Sequence, residues 1–518
     1  MDLFAQLGPA LALAFDPVSL GLIILGVLLG VGLGVLPGFG GSQALALLFP
    51  FTFLMEPAAA VMFMLAVYSA AEYGGSIPAI LIRTPGTTAA VMTILDGAPM
   101  AEGGRPRRAL TISIVAGVTG GIISTMVFIL AASSLAWLGL KFGPSELFAV
   151  GVFGLSIVGS FVGRDPTRAF LGAAIGLLIA TIGNSSFGGM RFVFDQPWLF
   201  DGVPLIVMIV AMLAGPEAFR LMLSIRIFSN REQLEKMTQT TGDADDRLTF
   251  REYVRLIPTL LRGGLLGTFV GALPGPGPTM AAVLAYNEEK RWSRKPEKFG
   301  TGIDEGIAAP ESSNNAVVAG ALVPALALGI PGSGAIAILL GVLISKGITP
   351  GPTLFSDGGP LIMAVFIGLM LANVALLFIG LFGVRFFVPL ARVPSGVLGP
   401  FVFALLMIGV YAFDNSFSHV VMLIVLASIA WMLDKAGVST LPIILGFVMG
   451  PIIEDNLGRA MIIANGNLWT VVSRPITATL LIVAMVTAVW SYFRTVQAER
   501  KMAEEEEENS QRAEGNSQ

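Results

Sequence analysis

The sequence predicts an all-α polytopic membrane protein with about 10–12 transmembrane helices, arranged as two inverted-topology repeats that contain broken helices or re-entrant hairpins. Three observations predict this class: the composition, the length of the apolar runs, and a glycine- and proline-rich motif that occurs twice. Of the 518 residues, 54% are hydrophobic and 13% are charged, whereas about a quarter of a soluble domain is charged. Most of the chain is therefore expected to lie in lipid.

The apolar runs reach or approach the roughly 20 residues that a membrane-spanning helix needs. The clearest runs are residues 17–36, 109–140, 204–213, 361–384 and 476–490.

Composition also excludes several other classes of protein. There is no cysteine and only one histidine, so neither a disulfide nor a Cys- or His-rich metal site is expected. The net charge of −4 gives no sign of a nucleic-acid partner.

Charged segments divide the chain. Basic residues gather in "RPRR" (105–108), between residues 226 and 262, and in "KRWSRKPEK" (290–298), and by the positive-inside rule these segments are cytoplasmic. The segment after residue 226 is polar and lacks apolar periodicity, which is typical of a linker. The predicted domains are residues 1–226 as transmembrane repeat 1, 227–250 as a polar cytoplasmic linker, 251–497 as transmembrane repeat 2, and 498–518 as a disordered acidic tail.

An internal repeat explains the two halves. "GVGLGVLPGFGGS" (30–42) aligns without a gap with "GTFVGALPGPGPT" (267–279), a shift of 237 residues (274 − 37). Further along, "PAILIRTPGT" (78–87) aligns with "PALALGIPGS" (324–333), a shift of 246 residues (331 − 85). The residues before the first motif include no basic side chain, whereas four arginines precede the second. Opposite charge at equivalent entrances indicates that the two repeats have opposite orientations.

The repeated motifs predict a binding site at membrane depth. A hydroxyl residue follows each break, as Ser42, Thr87, Thr279 and Ser333, and serine and threonine are helix N-cap residues. The free backbone amides of such helix ends attract anions, and the carbonyl groups of unwound segments can bind Na⁺. A single Pro-Gly-x-Gly sequence would more often be a kink or a packing notch. Paired copies at a repeat interface favour a transport site instead.

Polar side chains close to these motifs extend the predicted site. Arg83 is either a counter-charge for a carboxylate or an interfacial side chain, and Glu72 and Glu311 either carry a coupled proton or hold a helix in place. The predicted substrate-binding residues are Gly38, Gly40, Gly41, Ser42, Gln43, Arg83, Thr84, Pro85, Gly86, Thr87, Gly275, Gly277, Thr279, Ser312, Asn314, Asn315, Pro331, Gly332 and Ser333. The candidates for the coupling-ion site are Glu72, Glu311 and Asn314, and no metal other than Na⁺ is expected.

The motifs "GVGLGVLPGFGGSQ", "GGSIPAILIRTPGT", "GTFVGALPGPGPT" and "AAPESSNNAVVAGALVPALALGIPGS" resemble those of the large membrane subunit of the tripartite tricarboxylate transporters, the TctA-like subunit. The resemblance implies a bacterial inner-membrane secondary transporter for citrate-like carboxylates, driven by a Na⁺ or H⁺ gradient. It also implies two partners: a small four-helix membrane subunit (TctB-like) and a periplasmic solute-binding protein (TctC-like). Arg83 departs from the family pattern, where a neutral residue such as asparagine is frequent.

Two other functions fit the interrupted helices. An anion channel also uses them, and a single-component carboxylate carrier needs no partner protein. An enzyme is not expected, because the single histidine and the lack of an aspartyl motif leave no catalytic pair. No cofactor other than the coupling ion, Na⁺ or H⁺, is predicted.

Overall fold

The structure of this chain is a computed structural model that describes residues 6–36, 39–139, 141–161, 166–185, 187–223, 248–273, 277–351, 354, 358–387 and 395–489. These residues are almost entirely helical. The helices before residue 224 are α1 (Leu7–Ala14), α2 (Pro17–Gly34), α3 (Gly41–Leu48), α4 (Pro57–Ile82), α5 (Val91–Glu102), α6 (Pro106–Gly139), α7 (Pro144–Phe161), α8 (Pro166–Ala180) and α9 (Leu205–Leu223).

The second half of the chain is helical in the same way. Its helices are α10 (Phe250–Ala272), α11 (Gly277–Trp292), α12 (Asp304–Gly320), α13 (Leu322–Leu328), α14 (Gly334–Ser345), α15 (Gly359–Phe387), α16 (Ser395–Asp414), α17 (Phe417–Lys435), α18 (Thr440–Ile463), α19 (Leu468–Val472) and α20 (Pro475–Val489). Two short strands, β1 (Gly183–Asn184) and β2 (Met190–Arg191), form an antiparallel hairpin. The predicted all-α fold class is confirmed.

Eight of the described helices are long and apolar enough to cross a membrane: α2, α4, α6, α9, α15, α16, α17 and α18. The predicted number, about 10–12, is larger because the sequence also contains apolar segments that form shorter helices. These shorter segments include Gly41–Leu54 and Gly334–Ser345, which lie beside the glycine-rich breaks. The described residues thus form a multi-pass membrane protein with eight candidate spans and several shorter apolar helices.

The starts of several helices follow from local sequence. Asp16 precedes α2, and its side chain accepts hydrogen bonds from the amides of Val18 and Ser19, while Pro17 occupies the first helical position. Thr249 and Glu252 form a capping box at the start of α10, with Thr249 accepting from the Glu252 amide and Glu252 accepting from the Thr249 amide. Such caps pair the amides that a helix start leaves without intrahelical partners.

The chain divides into two compact units. The main unit comprises Met1–Phe142 and Val203–Met432, and the smaller unit comprises Gly143–Gly202 and Leu433–Gln518. Each unit contains residues from both halves of the chain, so the units do not follow the predicted repeat boundaries. The predicted linker (227–250) falls mostly outside the described residues, and the predicted tail (498–518) falls entirely outside them.

Two helix pairs in the main unit pack through glycine. In the α2–α4 pair, a Cβ on Gly30 would lie 2.5 Å from the Val67 carbonyl oxygen, and in the α10–α12 pair a Cβ on Gly267 would lie even closer to the Ser313 carbonyl oxygen. Such close approach of two backbones requires small residues. The facing glycines are Gly26, Gly30 and Gly34 on α2 and Gly263, Gly267 and Gly271 on α10. The second set follows the first at the shift of 237 residues (267 − 30) that the sequence repeat predicts.

Helix α6 joins the two pairs, since it packs against α4, α10, α12 and α15. The breaks that the two Pro-Gly motifs predict follow α2 and α10. Helix α2 ends at Gly34 and α3 begins at Gly41, while α10 ends at Ala272 and α11 begins at Gly277. Residues 37, 38 and 274–276, within the two Pro-Gly motifs, lie outside the described residues. Helices α4 and α13 both end in a left-handed residue, Arg83 and Gly329 respectively.

In the smaller unit, α18 packs against α7 and α8. Ion pairs join several elements of this unit. Glu454 on α18 accepts hydrogen bonds from Arg191 of the hairpin and from the Ser185 hydroxyl, both at 2.8 Å. Arg474 lies 3.2 Å from Glu146 at the start of α7. No predicted substrate-binding residue lies in this unit.

Candidate functional site

A cavity of about 350 Å³ lies in the main unit, where segments from both halves of the chain meet. The first half provides the start of α3, one face of α4 and the loop that follows α4. The end of α9 lies on its wall, and the second half provides the starts of α11 and α14. The lining residues are Gly40, Gly41, Ser42, Gln43, Tyr68, Glu72, Pro85, Gly86, Thr87, Thr88, Val91, Glu217, Arg220, Pro278 and Ser333.

Two helices begin at this cavity. Helix α3 starts after the extended residue Gly40, which has no side chain to cap it, and the Glu72 carboxyl group lies against the Gly41 backbone at the first turn. Helix α14 starts after Ser333, whose hydroxyl accepts a hydrogen bond from the Ile336 amide at 3.4 Å. The amides of a helix start carry partial positive charge, which favours a bound anion. The cavity wall therefore includes the positive ends of one helix from each half.

Hydroxyl groups connect the two halves beside the cavity. The Thr88 and Thr279 hydroxyls lie 2.6 Å apart, so that one donates to the other. Thr87 accepts a hydrogen bond from the Ala90 amide at 3.3 Å, which supports the short turn before α5. The loop before it approaches α4 so closely that a Cβ on Gly75 would lie 2.7 Å from the Thr87 amide nitrogen. Glycine at position 75 therefore allows the loop to enter the site.

Glu72 is a buried carboxyl group on the cavity wall. Its side chain is 5% exposed and lies against the Asn314 and Thr87 side chains and the Gly41 backbone. Within the described part of the chain, the Oε2 atom of Glu72 and the Oδ1 atom of Asn314 have no hydrogen-bond partner. Two acceptor oxygens buried without a donor are unfavourable. A proton or a cation between them would remove that cost.

Glu311 lies in a separate polar cluster on α12. It accepts a hydrogen bond from Thr93 at 2.5 Å, and Ser76 and Ser113 lie close to the same carboxyl group. The cluster joins α12 to α4, α5 and α6. Glu311 is 2% exposed and is not among the residues that line the cavity.

Asn315 belongs to a hydrogen-bond network between helices. Its amide nitrogen donates to the Gly117 carbonyl at 3.0 Å and to Asn373 at 3.3 Å, and its amide oxygen accepts from Ser69 at 3.0 Å. Ser312 similarly donates to the Leu260 carbonyl at 2.8 Å. Both side chains hold helices together, and neither lines the cavity.

Arg83 lies at the end of α4, away from the lining of the cavity. Its guanidinium donates to both oxygens of Glu102, at 2.6 and 2.8 Å, and both side chains are more than half exposed. The hydrogen bonds and positive charge of Arg83 lower the pKa of the Glu102 carboxyl group. The structure therefore places this arginine in a surface ion pair with α5.

Comparison with known proteins identifies the family of this chain. The tripartite tricarboxylate transporter TctA family matches residues 20–445. This chain belongs to that family. It is thus a membrane subunit of a tripartite tricarboxylate transporter and not an enzyme, and the predicted resemblance is confirmed. No solved structure matches it.

Two relatives of this TctA-family chain come from Agrobacterium vitis. One, described as an uncharacterized 52.8 kDa protein in the TAR-I ttuC' 3' region, is 34% identical over 501 residues, which cover 96% of this chain and 98% of the relative. The other, described as an uncharacterized protein in the TAR-II ttuC' 3' region, is 34% identical over 234 residues, which cover 45% of this chain and 97% of the relative. The first match extends the likeness over nearly the whole TctA-family chain.

The predicted site residues of this TctA-family chain fall into four groups. Those that line the cavity are Gly40, Gly41, Ser42, Gln43, Glu72, Pro85, Gly86, Thr87 and Ser333. Those that contact a lining residue are Thr279 and Asn314. Those outside the lining are Arg83, Thr84, Gly277, Glu311, Ser312, Asn315, Pro331 and Gly332. Those outside the described residues are Gly38 and Gly275.

Sequence reasoning missed six lining residues. They are Tyr68, Thr88, Val91, Glu217, Arg220 and Pro278. A signal for Glu217 and Arg220 was present, because "GPEAFRL" (215–221) places two ionisable residues in an otherwise apolar helix. The other four are uncharged residues of kinds that are common in membrane proteins, so the sequence contains no signal for them. Only the fold brings them to the cavity.

A larger crevice of about 1170 Å³ lies elsewhere in the main unit, between α1, α2, α4 and the 3-10 helix Phe49–Leu54. Its lining is mostly apolar. The two acidic lining residues, Asp16 and Glu56, precede the starts of α2 and α4. This crevice offers apolar contact and few polar groups, so the smaller, more polar cavity is the better candidate for a TctA-family solute site.

Proposed function

We propose that this chain is the large permease subunit of a binding-protein-dependent secondary transporter that imports citrate-like di- and tricarboxylates together with Na⁺ or H⁺. It works in the bacterial inner membrane with a small four-helix TctB-like subunit and a periplasmic TctC-like solute-binding protein. The family membership supports the subunit organisation. The cavity supports a small anionic substrate.

The observation that carries this proposal is the meeting of two helix starts at one cavity. Helix α3 of the first half and helix α14 of the second half both begin there, at Gly41 and after Ser333. A volume of about 350 Å³ lies within the range of roughly 300–1,000 Å³ that is common for small-molecule sites. The first turn of α3, which begins at Gly41, and the hydroxyls of Ser42 and Thr87 line the cavity and are suitable donors to a carboxylate.

Glu72 and Asn314 supply the cation part of the proposed site. Their unpartnered oxygens face a buried environment next to the anion site, where either a proton on Glu72 or a Na⁺ ion between the two side chains would be stabilised. A trianion entering a cell at about −100 mV works against ~2.3 kcal/mol per charge, roughly 7 kcal/mol in total. Co-transported cations must supply that energy, so a cation site beside the anion site suits the demand.

Alternating access would use the two helix pairs as equivalent supports. The packing glycines of α2 correspond to those of α10 in the sequence repeat. The α4 residues that face the first set correspond in the same way to the α12 residues that face the second. This correspondence supports the proposed duplication, and the charges at the two entrances support its inverted orientation. Occupation by both substrate and cation would then favour movement of the site between its two openings.

The experiment is counterflow in proteoliposomes that contain this chain, its small partner subunit and the loaded binding protein. Labelled citrate and succinate are followed with and without Na⁺, and at two external pH values. We expect saturable uptake that requires one of the two cation gradients. Flux that does not saturate and needs no gradient would indicate an anion channel, and full uptake without the partners would indicate a single-component carrier.

Variants locate the site in the same assay. Ser333→Ala and Asn314→Ala are expected to reduce uptake by tenfold or more, because the first removes a cap at the cavity and the second removes an oxygen beside Glu72. Ser345→Ala is the matched control, since Ser345 donates to the Val342 carbonyl at the other end of α14. Unchanged uptake in both site variants would remove Ser333 and Asn314 from the proposed site.

A further inference from the structure

We propose that Arg220 is the side chain that recognises an acidic group of the substrate, which places substrate specificity at the end of α9. The inference rests on the proposed function, because it assumes that an anion enters this cavity. It assigns to Arg220 the counter-charge role that sequence reasoning gave to Arg83.

Arg220 lies on the wall of the cavity, in the last turn of α9. Helix α9 packs against both α3 and α14, the two helices that begin at the site. The ionisable residues among those described as lining the cavity are Tyr68, Glu72, Glu217 and Arg220, so Arg220 is the basic member of this set. Its positive charge and the helix starts of α3 and α14 therefore act on the same volume.

The neighbouring carboxylate holds the guanidinium in place. Nη1 of Arg220 donates to Oε2 of Glu217 at 2.8 Å, and the Glu217 side chain is 5% exposed whereas that of Arg220 is 58% exposed. A buried acceptor thus fixes one edge of the group, while more than half of the arginine side chain remains accessible. A guanidinium has five donors and binds a carboxylate in a planar, two-bonded geometry.

A simpler role for Arg220 must be considered. Arginine in the last turn of a membrane helix stabilises the negative end of the helix dipole and can extend toward the lipid headgroups. That role requires no particular neighbour and no contact with a solute. The position on the cavity wall favours the binding role, because this half-exposed side chain lines the same cavity as Ser42 and Thr87.

Arg83 provides the contrast. It is also an arginine near a helix end, but it does not line the cavity. Its guanidinium donates to both carboxylate oxygens of the exposed Glu102 side chain. A substrate acid at Arg83 would have to displace a two-bonded pair at the surface. A substrate acid inside the cavity would meet the Arg220 side chain, because Arg220 lines the cavity and is 58% exposed.

The test uses the absence of cysteine from this chain. Val91→Cys places one thiol on the cavity wall, at a residue that is 47% exposed. The thiol is treated with a sulfonate-bearing and with a trimethylammonium-bearing methanethiosulfonate reagent, and the ratio of the two rates measures the local potential. We expect Arg220→Gln to lower the anionic-to-cationic ratio roughly fivefold, because a unit charge within the same cavity is removed.

Two further variants keep the test independent of folding. Glu217→Gln is expected to raise the same ratio, since it removes a negative charge beside Arg220, and Arg220→Lys is expected to leave it within twofold. Thr301→Cys, on an exposed loop, is the matched control, and its ratio is expected to be insensitive to all three changes. The ratio reports whether the charges of Arg220 and Glu217 act inside the cavity, so a ratio that Arg220→Gln and Glu217→Gln leave unchanged overturns the proposal.

Counterflow with citrate separates this inference from the proposed function. Arg220→Lys is expected to raise the KM for citrate at least fivefold with little change in the maximal rate, because one charge remains but the planar pair of bonds is lost. Uptake by the unmodified chain together with an unchanged KM in Arg220→Lys would overturn the role of Arg220 while leaving the transport proposal intact. A change in the thiol ratio in a chain that transports neither citrate nor succinate would overturn the transport proposal for these acids and support an anion-recognising Arg220.

Discussion

The α2–α4 and α10–α12 pairs share their packing but not their chemistry. Both pairs bring two backbones together along three glycines, at positions that correspond through the sequence repeat. Their ionisable residues do not correspond. At the shift of 246 residues (313 − 67), Glu72 on α4 is matched by Val318 on α12, and Glu311 on α12 is matched by Leu65 on α4. Close packing through glycine therefore occurs in both halves of the chain, whereas each proposed polar function occurs once.

Residues that correspond also meet in space. Ser69 and Asn315 are related by the same shift (315 − 69) and hydrogen-bond to each other at 3.0 Å. Thr87 and Ser333 are related in the same way, and both line the cavity. Contacts between equivalent positions are expected close to a two-fold axis that relates two repeats. These contacts support the proposed duplication, in which one helix start from each half reaches the same cavity.

The largest expected effect comes from breaking the shared packing. Gly30→Ala and Gly267→Ala each place a Cβ against a carbonyl oxygen of the facing helix, so backbone atoms must move. We expect both to lower the free energy of unfolding in mixed micelles by similar amounts, roughly 3 kcal/mol. Denaturant titration followed by tryptophan fluorescence measures this loss.

Gly21→Ala is the control for these two variants. It lies on α2, and a Cβ there would have no neighbour within 4 Å, so replacing glycine by alanine is expected to be neutral or slightly stabilising. A large loss in Gly30→Ala with none in Gly267→Ala would show that the two helix pairs are not equivalent supports.

A smaller effect is expected where equivalent residues differ in their contacts. Asn315 makes three hydrogen bonds in the core and Ser69 makes one of them. Asn315→Ala leaves the Gly117 carbonyl and the Ser69 hydroxyl without that partner, and we expect a loss of about 2 kcal/mol, against about 1 kcal/mol for Ser69→Ala. Unfolding of the two single variants and the double variant measures the coupling between them. Equal losses in the two single variants would contradict the unequal contacts.

Sequence alone predicted the breaks well, for a physical reason. Glycine and proline disfavour helix wherever they occur, so the ends of α2 and α10 could be placed before any packing was known. The hydroxyl residues after the breaks were predicted as N-caps, and this holds for Ser333, whereas Ser42 lies inside α3 and Thr87 lies before α5; all three line the cavity. These predictions depend on local backbone chemistry, which a sequence contains in full.

Side-chain direction was not predictable in the same way. Arg83 is two residues from Pro85, which lines the cavity, yet the left-handed backbone at Arg83 and the acceptor on α5 bring its guanidinium to the surface. Arg220 is distant from every motif in sequence and reaches the cavity only because α9 packs against α3 and α14. Residues on a shared wall can belong to distant segments, and neither apolar periodicity nor motif spacing reports such contacts.

The smallest expected effect concerns the two residues that end α4 and α13. Arg83 and Gly329 correspond at the shift of 246 residues (329 − 83) and both have positive φ, 53° and 73°. Glycine adopts this conformation without strain, whereas other residues incur roughly 1 kcal/mol. We expect Gly329→Ala to lower the free energy of unfolding by about 1 kcal/mol, and Arg83→Asn to change it by less than about 0.5 kcal/mol, because asparagine tolerates the left-handed region and the exposed ion pair contributes little.

Transport by Arg83→Asn sharpens the comparison beyond stability. If Arg83 serves only to end α4 and pair with Glu102, citrate counterflow by this variant should match that of the unmodified chain within twofold, whereas Arg220→Lys should raise the KM. Loss of uptake by Arg83→Asn with an unchanged unfolding curve would return the counter-charge role to Arg83. The surface pair with Glu102 would then describe only one of the states through which the transporter passes.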